Sequence, residues 1–265
     1  MDTLQTIILG LIQGLTEFIP ISSSGHLVIG QHFFLGASNH LFLEWINIGT
    51  MVALLVYFRR RIIQIIRDCV QQRDYRLVRN IVITAFPAGL IGYSFAHVID
   101  SAPFFGSLVT VTCTLAIVGI VMVVLEKLPK ASAVDSLGNM TPLKAFVIGS
   151  VQVLALIPGV SRSGSTIIAG RLMGLRPALA AEYSFLASLP IMMGVTVKLL
   201  LSESDRQYFV ANADMLILSN IVAFISGLLA VGFLMKYLSR HSLALFGWYR
   251  IGLAAVLAVV LLVQL

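Results

Sequence analysis

The chain has 265 residues, of which 58% are hydrophobic and only 11% charged, and its mean hydropathy is +0.95. Soluble domains carry about 45–50% apolar and about 25% charged residues, so a soluble globular domain and a disordered chain are both excluded and an integral membrane protein remains. The formal net charge of +6, from 18 Lys and Arg against 12 Asp and Glu, reads in this solvent as cytoplasmic loops and not as a nucleic-acid surface.

Met1-Asp2-Thr3 offers no basic n-region, and no small-residue cleavage site stands ahead of Gln13, so no secretory signal is evident. Leu4 to Leu35 is apolar but broken by Pro20, by Ser22-Ser23-Ser24-Gly25 and by charges. Trp45 to Phe58 and Ile81 to Ala96, which holds Pro87, are the next candidate spans, and Leu108 to Leu125 follows without a charge. Ala145 to Leu175 is broken again, by Pro158-Gly159 and by Ser161-Arg162-Ser163-Gly164. Tyr183 to Leu201, Met215 to Met235 and Leu243 to Val263 complete six spans near the ~20 residues a crossing helix needs. Non-helical backbone at membrane depth is tolerated only where protein or a water-filled cavity surrounds it. Residues 4–35 and 145–175 are therefore expected to be re-entrant helix hairpins. Cys69, in a basic stretch, and Cys113, in an apolar run, read as free thiols.

Positive charges set the orientation. Arg59, Arg60, Arg61, Arg67, Arg73, Arg76 and Arg79 mark a cytoplasmic loop, and alternation then places Lys127, Lys130, Lys144, Lys236 and Arg240 inside. Asp100, Glu203, Asp205, Arg206 and Asp214 fall in outside loops, and both termini fall outside. Asp135 to Asn139 reads as a plain cytoplasmic loop, and Arg250, beside Trp248 and Tyr249, as an interfacial anchor.

The two broken segments are alike. Gly10 and Gln13 match Gly149 and Gln152, Ile19-Pro20 matches Ile157-Pro158, and Ser22-x-Ser24-Gly25 matches Ser161-x-Ser163-Gly164. The offset is 139 for Gln13 and Gln152 (152 − 13) and 138 for the prolines (158 − 20). Glu44-Trp45 matches Glu182-Tyr183, which predicts a shared structural role for the glutamates, such as capping the facing hairpin. One hairpin and three crossings per half make the halves opposite in orientation. The expected architecture is one all-α, polytopic membrane domain over 1–265, an inverted-topology repeat with halves 1–126 and 140–265, whose hairpin tips meet near the midplane.

The chemistry gathers on those tips. Gln13 and Glu17 share a helix face at i, i+4, and a glutamate at membrane depth is by default a functional residue. His26 follows the serine run. In the second hairpin the turn before a helix start presents backbone N–H groups, hydroxyls and the positive end of the helix dipole, which together cradle an anion. Arg162 adds a planar bidentate donor suited to phosphate. A carboxylate, a histidine, hydroxyls and an arginine with oriented amides form the inventory of phosphoryl transfer. The lipid-embedded position suggests an amphiphilic phosphate ester. Asn47 is a weaker candidate to line the site.

The strings QGLTEFIPISSSGH and PGVSRSGST, with EWINIGT and EYSFLASLPIMMG, resemble the undecaprenyl-diphosphate phosphatase family of the bacitracin-resistance type over essentially the whole chain. The resemblance implies hydrolysis of undecaprenyl diphosphate to the monophosphate carrier and phosphate, recycling the carrier for the cell wall. It implies a multi-pass protein of the bacterial inner membrane, with the site open to the outer face. Glu17, Ser23, His26 and Arg162 match the family's catalytic and phosphate-binding positions; Ser22, Ser24, Gly25, Ser161, Ser163, Gly164 and Thr166 match supporting ones. Many members have Glu at Gln13 and Thr at Ser24. The nucleophile stays open between Ser23, His26 and water. Mg²⁺ or Ca²⁺ as a helper in diphosphate binding stays open, as does a homodimer. The partners implied are the lipid substrate and membrane lipids, with no nucleic acid. The phosphatidic-acid-phosphatase signature is absent, because after the five residues that follow Arg162 the sequence has Ile168 where that signature places a histidine. A lipid flippase or secondary transporter is the rival, since such proteins also use inverted repeats and broken helices.

Overall fold

The computed structural model describes residues 2–35, 40–128 and 134–264. Lys130 lies outside them, and of Asp100 only the backbone is described. All regular structure among the described residues is helical, apart from one bridge between Val134 and Leu175.

The first half begins with α1 (Thr3–Phe18) and α2 (Ser23–Leu35), separated by a turn at the proline and serine run. Asp2 starts α1 with a capping box, accepting from Gln5 N while the Gln5 side chain accepts from Asp2 N. Next come α3 (His40–Tyr57), α4 (Arg59–Gln71), α5 (Arg76–Ser94), the short α6 (Ala96–Ser101) and α7 (Leu108–Leu125). The chain from residue 134 onward contains a second helix–turn–helix unit. In it α8 (Pro142–Gln152) runs on through a 3₁₀ turn, Val153–Leu156, then breaks before α9 (Arg162–Leu172). After α9 come α10 (Pro177–Leu201), α11 (Glu203–Ala211), α12 (Ala213–Leu238) and α13 (Ala244–Gln264). Both broken segments are thus helix–turn–helix units, as their Pro, Gly and Ser content predicts.

Five helices, α5, α7, α10, α12 and α13, are long and apolar enough to cross a membrane by length and composition, and α3 with α4 makes a sixth candidate. Their outer faces carry exposed apolar side chains such as Phe86, Ile117, Leu229 and Val256, which a soluble protein would bury. Between helices, small residues allow backbones to approach closely, as lipid-embedded packing requires. On α1, Gly10 and Gly14 lie on the α12 backbone at Ser219 and Ala223, and Gly149 of α8 lies on Thr84 of α5. Gly119 of α7 and Gly247 of α13 face each other, so that a Cβ on either would stand within 2.9 Å of the other's carbonyl oxygen. Each first hairpin helix therefore rests on a helix of the other half.

The structure corrects four local readings. The arginine-rich stretch after Phe58 is not a loop but α4, bent 67° from α3. Its Ile62 and Ile65 pack on the core while Arg59 and Arg60 are exposed, so apolar residues at helical spacing outweigh the charge run. On the opposite side, Glu203, Asp205 and Arg206 belong to α11 and Asp214 to the first turn of α12, so this stretch is not a plain loop either. Residues 135–139 also have structure: Leu137–Asn139 form a 3₁₀ turn, Leu137 is buried, and Val134 N donates to Gly174 O at 3.2 Å. Glu44 and Glu182 do share a role, but their partners are basic residues and not the facing hairpin. Glu44 pairs with Lys198 at 3.4 Å and Glu182 with Arg61 at 2.8 Å, linking the α3–α4 arm to α10 at both ends.

Candidate active site

The two turns have the same local build. Ser22 and Ser161 sit at φ of 76° and 77°, in the left-handed region that costs a non-glycine residue about 1–3 kcal/mol. Each hydroxyl accepts the backbone N–H three residues on, Gly25 at 3.2 Å and Gly164 at 3.1 Å, which satisfies one orphan donor of the following helix. Gly159, at φ +88°, has its Cα against Val111 and Thr114 of α7, where a side chain would collide.

These turns bring Glu17, Ser23 and Arg162 together. Ser23 Oγ donates to Glu17 Oε2 at 2.6 Å. Arg162 Nη2 donates to Glu17 Oε1 across 145 residues of chain, forming an ion pair. The side chain of Glu17 is only 9% exposed and that of Arg162 22%, so the pair is shielded and each charge depends on the other. Gln13 Nε2 donates to Glu17 Oε2 at 3.1 Å and to Asn47 Oδ1 at 2.7 Å, so both supporting candidates join the same network. Gln152, the counterpart of Gln13, is buried without a hydrogen-bond partner among the described residues. The two tips are alike in backbone but unequal in chemistry: the first supplies the carboxylate and hydroxyl, the second the cation.

Of the remaining candidates, only Ser163 bonds directly to Glu17 at this centre. Ser22 Oγ and Ser24 Oγ are 3.3 Å apart, and Ser161 Oγ and Ser163 Oγ 3.2 Å. Ser163 Oγ also donates to Glu17 O at 3.4 Å. Thr166 is buried and bonded to Ser184 Oγ at 2.5 Å, so it braces α9 against α10. His26 is turned elsewhere: Nδ1 lies 2.7 Å from Ser22 O, Nε2 lies 2.8 Å from Tyr249 Oη, and the two rings stack. Neither of these ring-nitrogen bonds goes to Glu17 or Ser23. Among the described residues no three His, Cys, Asp or Glu side chains converge on a metal position. A divalent cation at the tips would rest on Glu17 and on oxygens of a phosphate substrate, the mode usual for Mg²⁺.

Arg250 overturns its reading as an interfacial anchor. It is fully buried, and its guanidinium donates to Pro20 O at 3.2 Å, to Val160 O at 3.2 Å and to Gly159 O. For Arg250 the available signal is the one used for Glu17, a lone charge within an apolar span; no such signal marks Tyr249, whose hydroxyl bonds to His26.

Fold and site together define an all-helical, multi-pass membrane protein whose polar groups converge where two helices are broken. The chain belongs to the bacitracin resistance protein BacA family, whose sequence profile matches residues 6–256. It is 39% identical over 256 residues to an undecaprenyl-diphosphatase 2 of Pseudomonas fluorescens, covering 93% of this chain and 89% of the relative. Identity is 33% over 266 residues to an undecaprenyl-diphosphatase 2 of Paramagnetospirillum magneticum, covering 98% and 100%. It is 35% over 263 residues to an undecaprenyl-diphosphatase of Aquifex aeolicus, covering 97% and 98%.

Proposed function

We propose that this chain hydrolyses undecaprenyl diphosphate to undecaprenyl phosphate and inorganic phosphate, recycling the lipid carrier for cell-wall synthesis and conferring bacitracin resistance. The observation that carries the reading is the Ser23 hydroxyl 2.6 Å from Glu17, with Arg162 on the other carboxylate oxygen. A hydroxyl bonded to a shielded carboxylate is an activated nucleophile, and the arginine is a ready partner for phosphate oxygens.

In the first step Ser23 Oγ bonds to the terminal phosphorus and its proton passes to Glu17. The bond from that phosphorus to the bridging oxygen breaks, and its electrons leave with undecaprenyl phosphate. Protonation of Glu17 releases Arg162 to the phosphate oxygens, where negative charge is concentrated. In the second step water takes the place of serine on phosphorus, the proton on Glu17 returns to Ser23 Oγ, and phosphate departs. Amides and hydroxyls around Ser161, Ser163 and Gly164, with Ser22, Ser24 and Gly25 opposite, bind the diphosphate; Thr166, Gln13 and Asn47 hold the network. The geometry favours Glu17 over His26 as the base, because the imidazole is engaged by Ser22 and Tyr249.

Residues 1–126 and 140–265 are read as halves of an inverted repeat, with re-entrant hairpins at 4–35 and 145–175. Matched turns at Ser22 and Ser161 and matched ion pairs at Glu44–Lys198 and Arg61–Glu182 support it. Arginines of α4 and of the start of α5 on the cytoplasmic side leave the site open to the outer face of the bacterial inner membrane. The test is phosphate release by the purified chain from a detergent-solubilised polyprenyl diphosphate. Release at a rate that follows enzyme concentration is expected, and a flippase or transporter would release none.

A further inference from the structure

The last helix holds a charge that this reaction does not use. Arg250 is fully buried in α13, and among the described residues no carboxylate lies within ion-pair distance of it. A buried cation without a counter-ion persists only where its N–H groups are well bonded. The bonds of its two terminal nitrogens go to backbone at both breaks, while Nε has no partner among the described residues. Nη1 donates to Pro20 O, two residues before Ser22, and Nη2 to Gly159 O and Val160 O, just before Ser161. One rigid planar fork therefore spans the two turns, one nitrogen to each.

A second donor holds the same place. Thr114 Oγ1, on α7, lies 2.8 Å from Pro158 O, nearer than to Thr110 O at 2.9 Å and Val111 O at 3.0 Å on its own helix, so its one proton is shared among the three with Pro158 O the shortest contact. The helices that carry the two donors are locked together, since Gly119 and Gly247 bring the α7 and α13 backbones into contact. Four carbonyls freed by the breaks in the helices are thus satisfied inside the membrane span by side chains of one helix pair.

We infer that Arg250, seconded by Thr114, is a positioning residue of the phosphatase site. Its fork sets the first turn, which carries Ser23, at a fixed distance from the second, which carries Arg162. It touches no reacting atom. The inference rests on the phosphatase reading given above. Geometry held to within a fraction of an ångström is what allows in-line attack, and loosening it lowers the chemical step without removing any catalytic group. Lysine keeps the charge but gathers its donors on one nitrogen at the end of a flexible stem, so it does not fix the two turns at the spacing of the planar fork.

The experiment measures kcat per folded molecule, with thermal unfolding recorded in parallel, for wild type, Arg250→Lys, Thr114→Val and Glu17→Gln in the same detergent. Folded Arg250→Lys is expected to lose at least about tenfold in kcat, and Thr114→Val, which is nearly isosteric, about three- to tenfold. A purely structural role would lower yield or unfolding temperature and leave kcat of the folded fraction at the wild-type value. If Arg250→Lys does not fold, Thr114→Val alone decides. Wild-type kcat in Thr114→Val, or in folded Arg250→Lys, overturns the positioning role. Failure of the underlying reading looks different: no phosphate release by wild type, or full activity in Glu17→Gln.

Discussion

Ser22 and Ser161 adopt one backbone conformation, φ of 76° and 77°, at positions 139 residues apart (161 − 22), the offset at which Gln13 meets Gln152. In each, a hydroxyl that caps the next helix compensates a strained φ. Replacing Ser161 by Ala removes the cap at about 1 kcal/mol, whereas replacing it by Gly costs only about 0.3 kcal/mol at the cap. Only Gly also relieves the left-handed φ. Ser161→Ala is therefore expected to be less stable than Ser161→Gly by about 1 kcal/mol, read from thermal or denaturant unfolding. Equal stability would show that the turn stores no strain.

The close helix contacts give a second expectation. A Cβ on Gly149 would stand 2.6 Å from Thr84 O and 2.9 Å from Thr84 Cα, whereas one on Gly89 meets nothing within 4 Å. Gly149→Ala should destabilise by about 1–3 kcal/mol through overpacking of α8 on α5. Gly89→Ala should be neutral or slightly stabilising, because alanine is the better helix former. Matching unfolding curves for the two variants would contradict the packing described here.

The nucleophile can be located. Rapid acid quench during turnover, followed by peptide mass spectrometry, is expected to find phosphate on Ser23. Ser23→Ala should abolish that adduct and reduce kcat by about 10³-fold or more. Phosphate on His26, or water oxygen delivered to product with no adduct on the protein, would move the nucleophile away from Ser23.

Much of this was legible in the sequence, and physical reasons separate what was from what was not. Crossing helices announce themselves as uninterrupted apolar runs, and the broken ones as Pro, Gly and Ser within such runs. The meeting of Glu17 with Arg162 followed from treating intramembrane charges as partners. Arg250 escaped the same logic because Trp248 and Tyr249 beside it resemble an interfacial belt. Its burial depends on α13 packing against both turns, a tertiary fact with no local pattern. In α4 the run of arginines masks the helical spacing of Ile62, Ile65 and Ile66. Similarly, the repeat matched Glu44 to Glu182, but their partners, Lys198 and Arg61, lie on the other half and carry no shared motif.

The most direct test measures phosphate release from a polyprenyl diphosphate by folded Glu17→Gln, Arg162→Ala and the double variant. Glu17 supplies the base and Arg162 the charge on the transferring phosphoryl group, so each single variant should lose about 10²-fold or more in kcat. Because the two side chains are bonded to each other, the double variant should lose less than the product of the singles. Near-wild-type turnover in either folded single variant would contradict the assignment of the hairpin tips as the active site.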